Sequence, residues 1–416
     1  LFDIVTGRNF IGFLFDVAGS SVFPEPSDIE FILGLLCSSI AFDALKAVNP
    51  TLNFQVGNVG QIPVLTNISP EVRNQVNSIV REAVEISRAD WDQVESSWNF
   101  CLDLNKLNLK TVAHYIEEQL TANSVRQQRL LELETLNNKL FLQAYGLQDE
   151  VSPDVAIEDI SLRNLDKREL IELLASYSIG CMMGRYSLDT PGLIYANSGN
   201  IGFDPSRYQK FPADADGVVP ILDYPWFTDD ITTRFQEFLI ACWGKDTLEE
   251  NMKFVADSLE PKQGETPEET IRRYFCDTFF KNHLKMYKKR PIYWLFSSGK
   301  EKAFQALVYL HRYNEQTLSQ MRTEYVLPLQ GKMSNEEKRL DAQIDTAGTP
   351  AERNRFKKER EKVKKKQVEL RKFDELLHHY ADKRISLDLD DGVKVNYGKF
   401  GALLAEVKQV TGGSEE

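Results

Sequence analysis

Cysteine and histidine are both scarce in this sequence, with five of each among 416 residues. No two cysteines form a Cys-x-x-Cys pair, and no histidine stands beside one at the spacing of a zinc site. An odd number of dispersed cysteines also argues against a disulfide framework. We therefore expect reduced thiols, as in a cytoplasm, and no metal site.

The sequence also lacks a long hydrophobic run, since no stretch approaches the roughly 20 apolar residues that span a bilayer. It opens on Leu1-Phe2-Asp3, with neither an initiator methionine nor the pattern of a signal peptide. These absences predict a cytoplasmic protein without a membrane partner. They also predict that the chain is a segment of a longer polypeptide.

Motifs that mark a catalytic or nucleotide-binding site are missing as well. The sequence contains no GxGxxG, GxxxxGK[ST], HExxH or GxSxG string. We therefore predict that the chain contributes no catalytic residue and no cofactor-binding residue of its own.

Charge, by contrast, is abundant and unevenly distributed. The chain as a whole carries a net charge of −12, which argues against indiscriminate binding to nucleic acid or to a membrane surface. Residues 1–284 have 23 basic and 42 acidic residues, whereas 285–372 have 22 basic and 11 acidic ones, and 373–416 have 5 and 9. An acidic body with one basic stretch indicates a localised anionic partner.

The first 66 residues combine a helical pattern with an extended one. Ser27-Asp28 is a possible cap for a buried helix over 29–45, whose apolar residues recur at helical spacing. Pro50 ends that helix, and an extended segment is predicted to follow as far as Val64.

Residues 69–150 are predicted to be helical, and residues 151–310 to be mixed. Ser69-Pro70 is a start signal for a helix that carries apolar residues over 72–86, and the same periodicity returns over 120–147. Glycine, proline and aromatic residues cluster in 151–310, which predicts short helices and a few strands between long loops. Such loops are where binding surfaces usually lie.

The C-terminal part is predicted to be a helical hairpin over 311–382 followed by a β-hairpin. Thr349-Pro350-Ala351-Glu352 forms a capping box that starts the second helix. A coiled-coil seam recurs every seven residues at Phe356, Val363, Leu370 and Leu377. Alternating residues on both sides of Asp391-Gly392 predict the β-hairpin, and we interpret the aspartates there as turn residues, not calcium ligands.

The segment 288–302 has the strongest pattern for nucleic-acid binding, because cations bracket aromatic residues. Such a combination can pair with phosphates and stack on bases. The alternative is that Ile292, Trp294 and Phe296 alternate as a strand into the core, with solvated cations on either side. Both interpretations are compatible, and the candidate DNA-binding residues are Lys288, Lys289, Arg290, Tyr293, Lys300 and Lys302.

A second basic run covers 353–372, where eleven cations stand beside Glu352, Glu359, Glu361 and Glu369. One interpretation is the solvated outer face of a coiled coil, partly paired along the helix. The other is a helix that follows the DNA backbone, with Lys364, Lys365 and Lys366 as its candidate contacts.

Several strings in the sequence resemble a known family. They are GCMMGRYSLD (180–189), DADGVVPI (214–221), WFTDDI (226–231), KRPIYW (289–294) and LDLDDGVKVNY (387–397). They resemble the C-terminal half of the PglX-type adenine-specific DNA methyltransferases of BREX phage-defence systems. Asn49–Gly57 (NPTLNFQVG) is similar to the segment that follows the catalytic domain in related single-chain restriction-modification enzymes.

The resemblance implies a full-length bacterial enzyme that methylates the N6 of adenine with S-adenosylmethionine. Such a methyltransferase needs a Gly-rich loop and an Asn-Pro-Pro-aromatic element that holds the flipped adenine. The nearest string here, Asn49-Pro50-Thr51, lacks the second proline and the aromatic residue. The chain alone is therefore expected to be inactive and to bind no cofactor.

The expected fold class is α+β, mainly α. The expected domains are the end of the preceding methyltransferase or recognition segment (1–66), a helical connector (67–175), a mixed α/β target-recognition domain (176–310), a coiled-coil hairpin (311–382), and a β-hairpin with a C-terminal helix (383–416). The expected partners are double-stranded DNA and other BREX proteins. The alternative function is a scaffold of the defence complex that makes no DNA contact.

Overall fold

A computed structural model describes residues 21–51, 54–104 and 110–412. Parts of three predicted segments, 1–66, 67–175 and 383–416, therefore lie outside the described residues, and these include Leu52 and Asn53 of the predicted extended segment. The chain divides into two compact units. Unit 1 is built from residues up to Ser97 and from Glu118–Leu165, and unit 2 from Trp98–Glu117 and from Asp166 onward.

The described chain is mainly helical with one small antiparallel sheet, which confirms the predicted fold class. Two π-helical turns, Phe275–Phe279 and Met321–Val326, each join two consecutive α-helices. The helices are α1 Ile29–Leu36, α2 Ser39–Val48, α3 Val56–Val59, α4 Pro70–Trp91, α5 Val112–Tyr145, α6 Lys167–Met182, α7 Ile231–Trp243, α8 Leu248–Ser258, α9 Pro267–Tyr274, α10 Phe280–Met286, α11 Thr317–Gln320, α12 Leu327–Thr346, α13 Pro350–Asp382, α14 Gly392–Gly398 and α15 Val407–Thr411. The strands are β1 Val218–Pro220, β2 Tyr293–Ser297 and β3 Gln305–Tyr309.

In unit 1 the single helix predicted over 29–45 is two helices, α1 and α2. The chain breaks at Ser38, whose hydroxyl accepts a hydrogen bond from the Ala41 amide and caps α2. Both helices place apolar side chains in the core of unit 1, which also contains Phe141. The helix ends before Pro50 as predicted, but the extended prediction for 51–64 is wrong at α3.

The predicted start of α4 is confirmed. Ser69 accepts a hydrogen bond from the Val72 amide, and Pro70 occupies the first helical position. No single described helix is long and apolar enough to cross a membrane; the bent pair Pro26–Leu36 and Ser39–Val48 meets the criteria of length and composition.

In unit 2 the predicted strand at 292–296 is confirmed as β2. The sheet has the order β1-β3-β2, with Tyr293 opposite Tyr309 and Ser297 opposite Gln305. Both faces of β2 are buried, so the side chains at its odd-numbered and even-numbered positions lie in the core. β2 therefore fixes the positions of the two turns that flank it, and these turns carry the basic residues predicted from the sequence.

The helical hairpin is also confirmed, formed by α12 and α13. The Thr349 capping box is present, with the Thr349 hydroxyl accepting from the Glu352 amide. Leu370 and Leu377 are completely buried, whereas Phe356 and Val363 are only half-buried. The C-terminal half of α13 is thus enclosed by unit 2, while the N-terminal half is covered on one side.

The predicted β-hairpin at 385–397 is wrong. The chain forms a 3-10 turn at Leu389–Asp391 and then the helix α14. Asp388 accepts a hydrogen bond from the Asp390 amide, and the Asn396 amide group donates to the carbonyls of Asp388 and Gly392. These local bonds favour the turn and the helix over a strand ladder.

Packing also explains why this segment forms a helix and not a strand. Tyr397 and Phe400 are buried and both make edge contacts with Trp294. Their three-residue spacing suits one face of a helical turn, whereas in a strand they would point to opposite faces.

Candidate nucleic-acid interface

Three lysines form a row along the outer side of α13. Lys358, Lys365 and Lys372 recur every seven residues, which places them on one side of an α-helix, away from the buried Leu370. All three are exposed, and none has a hydrogen bond or an ion pair within the described part of the chain. The row spans about 21 Å at 1.5 Å per residue. Lys362 is exposed one turn from both Lys358 and Lys365.

Most acidic residues of this helix are engaged elsewhere and do not neutralise that row, although the exposed Glu375 lies one turn from Lys372. Glu352 belongs to the helix cap, Glu359 pairs with Arg355 and Glu361 with Arg360. Asp374 pairs with Arg322 at 2.7 Å. The outer lysines are therefore available to an external anion.

Glu369 joins the β2–β3 turn to α13. Its carboxylate accepts hydrogen bonds from the Ser298 hydroxyl at 2.6 Å and from the amides of Glu301 at 2.7 Å and Ala303 at 3.1 Å. The exposed Lys300 lies in this turn and is thereby held beside the lysine row. We call Lys300, Lys358, Lys362, Lys365 and Lys372 together the basic face.

The other lysines predicted here are already paired. Lys302 binds the Asp277 carboxylate and the Cys276 carbonyl. Lys364 lies 3.6 Å from Glu337, and Lys366 lies 2.6 Å from Asp223 with a side chain only 13% exposed. Of the predicted trio 364–366, Lys365 alone has no such partner in the described residues, because successive helical residues point in different directions.

Lys288, Lys289 and Arg290 lie at the opposite end of β2. All three are exposed in the turn after α10, where Lys288 and Lys289 adopt left-handed φ angles of 49° and 62°. The five residues of β2 separate this turn from Lys300 by about 16 Å. The two groups of cations therefore form separate patches.

Tyr293 is placed in the core and not on the surface. Its side chain is fully buried, and its ring stacks on the imidazole of His283 with the centroids 4.9 Å apart. Burial lowers the pKa of His283 to about 3, and Arg185 contributes to the fall, so the imidazole is neutral. Its Nε2 accepts from the Ile292 and Tyr293 amides, which fixes the start of β2. In this structure the Tyr293 ring cannot reach a base.

The sequence analysis did not predict the aromatic loop next to the basic face, in which Tyr224 is exposed and Trp226 is half-buried. Tyr224 is 59% exposed, and its ring makes a T-shaped contact with Trp226 at a centroid distance of 5.0 Å. The ion pair between Asp223 and Lys366 fastens the loop to α13. The string Asp223-Tyr-Pro-Trp226 contains a turn signal, Pro225, but nothing in it distinguishes exposed rings from buried ones.

Comparison with known proteins gives two strong matches. The chain is 45% identical over 434 aligned residues to the adenine-specific methyltransferase BrxX of Escherichia coli O9:H4 (strain HS), and the match covers 97% of this chain and 35% of that protein. It is 38% identical over 398 residues to the adenine-specific methyltransferase PglX of Lacticaseibacillus casei (strain Zhang), covering 93% of this chain and 32% of that protein. No protein-family model matches the chain.

The chain is therefore homologous to part of the adenine-specific methyltransferases. The two relatives named are BrxX and PglX, which confirms the predicted resemblance. The chain spans about a third of the length of these relatives.

Proposed function

We propose that this chain is the DNA target-recognition region of a site-specific N6-adenine methyltransferase of a BREX-type defence system. The full-length enzyme would use S-adenosylmethionine, and the catalytic domain would lie outside the 416 residues. The observation that carries the proposal is the basic face, because its lysines are exposed, aligned and left unpaired within the described residues. An enzyme that modifies DNA needs such a surface to position the duplex.

The alternative is a scaffold whose basic face binds an acidic protein of the defence complex. The row of exposed lysines favours DNA, because several cations on one face of a rigid helix can contact phosphates along a duplex together. The separate patch at Lys288, Lys289 and Arg290 would supply a second group of backbone contacts.

Salt dependence distinguishes the two functions. The affinity of the chain for a 25-base-pair duplex should fall log-linearly with salt, because each phosphate contact releases condensed counterions, with a slope of about −0.9 per contact. The measurement is fluorescence anisotropy between 50 and 250 mM salt. A chain that shows no duplex binding at 50 mM salt would contradict the DNA proposal.

The second patch has its own test. We predict that the double variant Lys289→Ala, Arg290→Ala weakens binding to all duplex sequences alike and lowers the salt slope by about one unit per lost phosphate contact. A matched control is Lys253→Ala, Lys262→Ala, which removes two exposed lysines elsewhere in unit 2. Equal affinities of the double variant and the parent would remove this patch from the interface.

A further inference from the structure

The loop 222–230 is held rigidly at both ends by one buried cation. The Arg272 guanidinium donates to the Leu222 carbonyl at 3.0 Å and to the Asp230 carboxylate at 2.8 Å. Both members of the Arg272–Asp230 ion pair are almost completely buried, with side chains 6% and 0% exposed. Burial raises the pKa of the Asp230 carboxyl to about 6, and Arg272 opposes the rise. The loop is therefore fixed before any ligand arrives.

Contacts within the loop fix its aromatic tip, in which Tyr224 is exposed and Trp226 is half-buried. The Tyr325 hydroxyl lies 2.7 Å from the Asp229 carboxylate, and the Lys332 ammonium donates to the Trp226 carbonyl. The Trp226 amide donates to the Tyr224 carbonyl at 2.8 Å, which closes a tight turn around Pro225. Because Tyr224 stays largely exposed, its ring buries little surface, and its contact with Trp226 contributes only modestly to stability. Holding it in place costs conformational entropy, which a binding role would explain.

The charges around the tip favour an anion. The acidic groups are engaged, since Asp223 binds Lys366 at 2.6 Å and the Glu336 carboxylate binds Arg339 at 2.7 Å. On α13 the exposed Lys362 lies one turn from Lys366 and has no such partner among the described residues. Two aromatic rings are thus bordered by cations, one of them unpaired.

We infer that Tyr224 and Trp226 form a stacking platform for a nucleobase that has left the duplex stack, with the lysines of the basic face holding the adjacent phosphates. Aromatic rings bind unstacked bases of any sequence, because every base has a π-face. An adenine methyltransferase has to take its target out of the helix, which creates unstacked bases near the recognition region. The inference rests on the proposed DNA-binding function and adds to it a preference for distorted DNA.

The test compares two DNAs that have the same backbone charge per length. One is an intact 25-base-pair duplex, and the other carries a single unpaired 2-aminopurine in its centre. We expect the chain to bind the bulged duplex about tenfold more tightly than the intact one, within the range of base–aromatic stacking. The 2-aminopurine fluorescence should be quenched on binding, because stacking on an aromatic ring quenches it.

The variant Tyr224→Ala, Trp226→Ala should lose both the preference and the quenching and keep its affinity for the intact duplex. Tyr224→Phe, Trp226→Phe retains two rings and should keep the preference. Trp98→Ala is the matched control, since Trp98 is 78% exposed elsewhere in unit 2. Circular dichroism establishes that each variant is folded.

The outcomes separate this inference from the function on which it rests. If the alanine double variant keeps the preference and the quenching, or the parent shows neither, the stacking platform is wrong while duplex binding still supports the proposed function. If the loop instead binds a protein partner, the alanine variant would bind both DNAs like the parent. The stacking platform would then also be wrong. If the parent binds neither DNA, the proposed function itself fails.

Discussion

At the scale of single residues, unit 2 depends on buried polar groups whose pairing the sequence does not show. The Arg312 guanidinium approaches Gly217, which has a φ of 74°, and there a Cβ would lie 3.2 Å from the Arg312 Nε. The Asp214 carboxylate accepts hydrogen bonds from the Gly217 amide at 2.7 Å and the Asp216 amide at 3.2 Å. Asp214 thus shapes the turn that leads into β1.

Asp214 makes the stability of the chain depend on pH. Burial raises the pKa of the Asp214 carboxyl from 3.8 to about 8, and a hydrogen bond with Asp216 adds to the rise. A raised folded-state pKa gives stability that is fully present below pH 3.8 and is lost as pH rises through about 8. We predict that the free energy of unfolding falls by about 1–3 kcal/mol from this group between pH 6 and 9.

Asp214→Asn is the corresponding variant. Its amide can accept from Gly217 and donate to Asp216 as the protonated acid does, without titrating. Urea unfolding at pH 6 and pH 9 should show a smaller loss of stability in the variant than in the parent. Identical pH profiles for the two proteins would show that Asp214 does not carry the effect.

The ion pair between Asp230 and Arg272 gives a second residue-scale prediction. Asp230→Ala should destabilise the chain by about 3–5 kcal/mol, because it removes the buried counter-ion of the Arg272 guanidinium and leaves only the half-exposed Glu268. Chemical denaturation measures the change. The matched control is Glu237→Ala, which removes the half-exposed partner of Arg234 and should cost less than about 1 kcal/mol. Similar costs for the two variants would contradict the account of how the loop is held.

At the scale of elements, local signals predicted most of what the structure shows. Caps such as Ser69 and Thr349 are short-range hydrogen bonds and depend on few residues, so the sequence identifies them. The prediction of a β-hairpin failed because the alternation of apolar and polar residues over 385–397 is a weak signal, and a strand also needs a partner strand. Packing of Tyr397 and Phe400 against the distant Trp294 decides the outcome, and no local pattern reports it.

The hairpin seam allows an element-scale prediction. Leu370→Ala should cost about 2–5 kcal/mol, because Leu370 is completely buried and its truncation leaves a cavity. Phe356→Ala, at an equivalent heptad position but half-buried, should cost clearly less. Thermal unfolding of both variants tests the difference. A larger loss for Phe356→Ala would mean that the N-terminal half of α13 is the better-packed half.

At the scale of the whole molecule, the sequence predicted the basic region but not its geometry. Charge counting located the positive stretch at 285–372, and homology to adenine-specific methyltransferases supports a methyltransferase-related role. Tertiary contacts decide which of the predicted residues are available to DNA. Lys366 and Lys302 are paired with acids far away in the sequence, and Tyr293 is buried. The position of Lys300 beside α13 depends on the hydrogen bond between Ser298 and Glu369, which are 71 residues apart in the sequence.

We propose that the lysine row on α13 binds the DNA backbone, and a charge-reversal variant tests this role. The variant Lys358→Glu, Lys365→Glu, Lys372→Glu changes three exposed residues, so its thermal stability should match the parent within about 1 kcal/mol. The control Lys245→Glu, Lys253→Glu, Lys262→Glu makes the same change of net charge on exposed residues elsewhere in unit 2. The measurement is the duplex affinity of all three proteins as a function of salt. We predict that reversing the row abolishes binding at 100 mM salt, or lowers the salt slope by about three units, while the control retains most of its affinity. Equal losses of duplex affinity in the two variants, or no loss of affinity when the row is reversed, would contradict this role of the row.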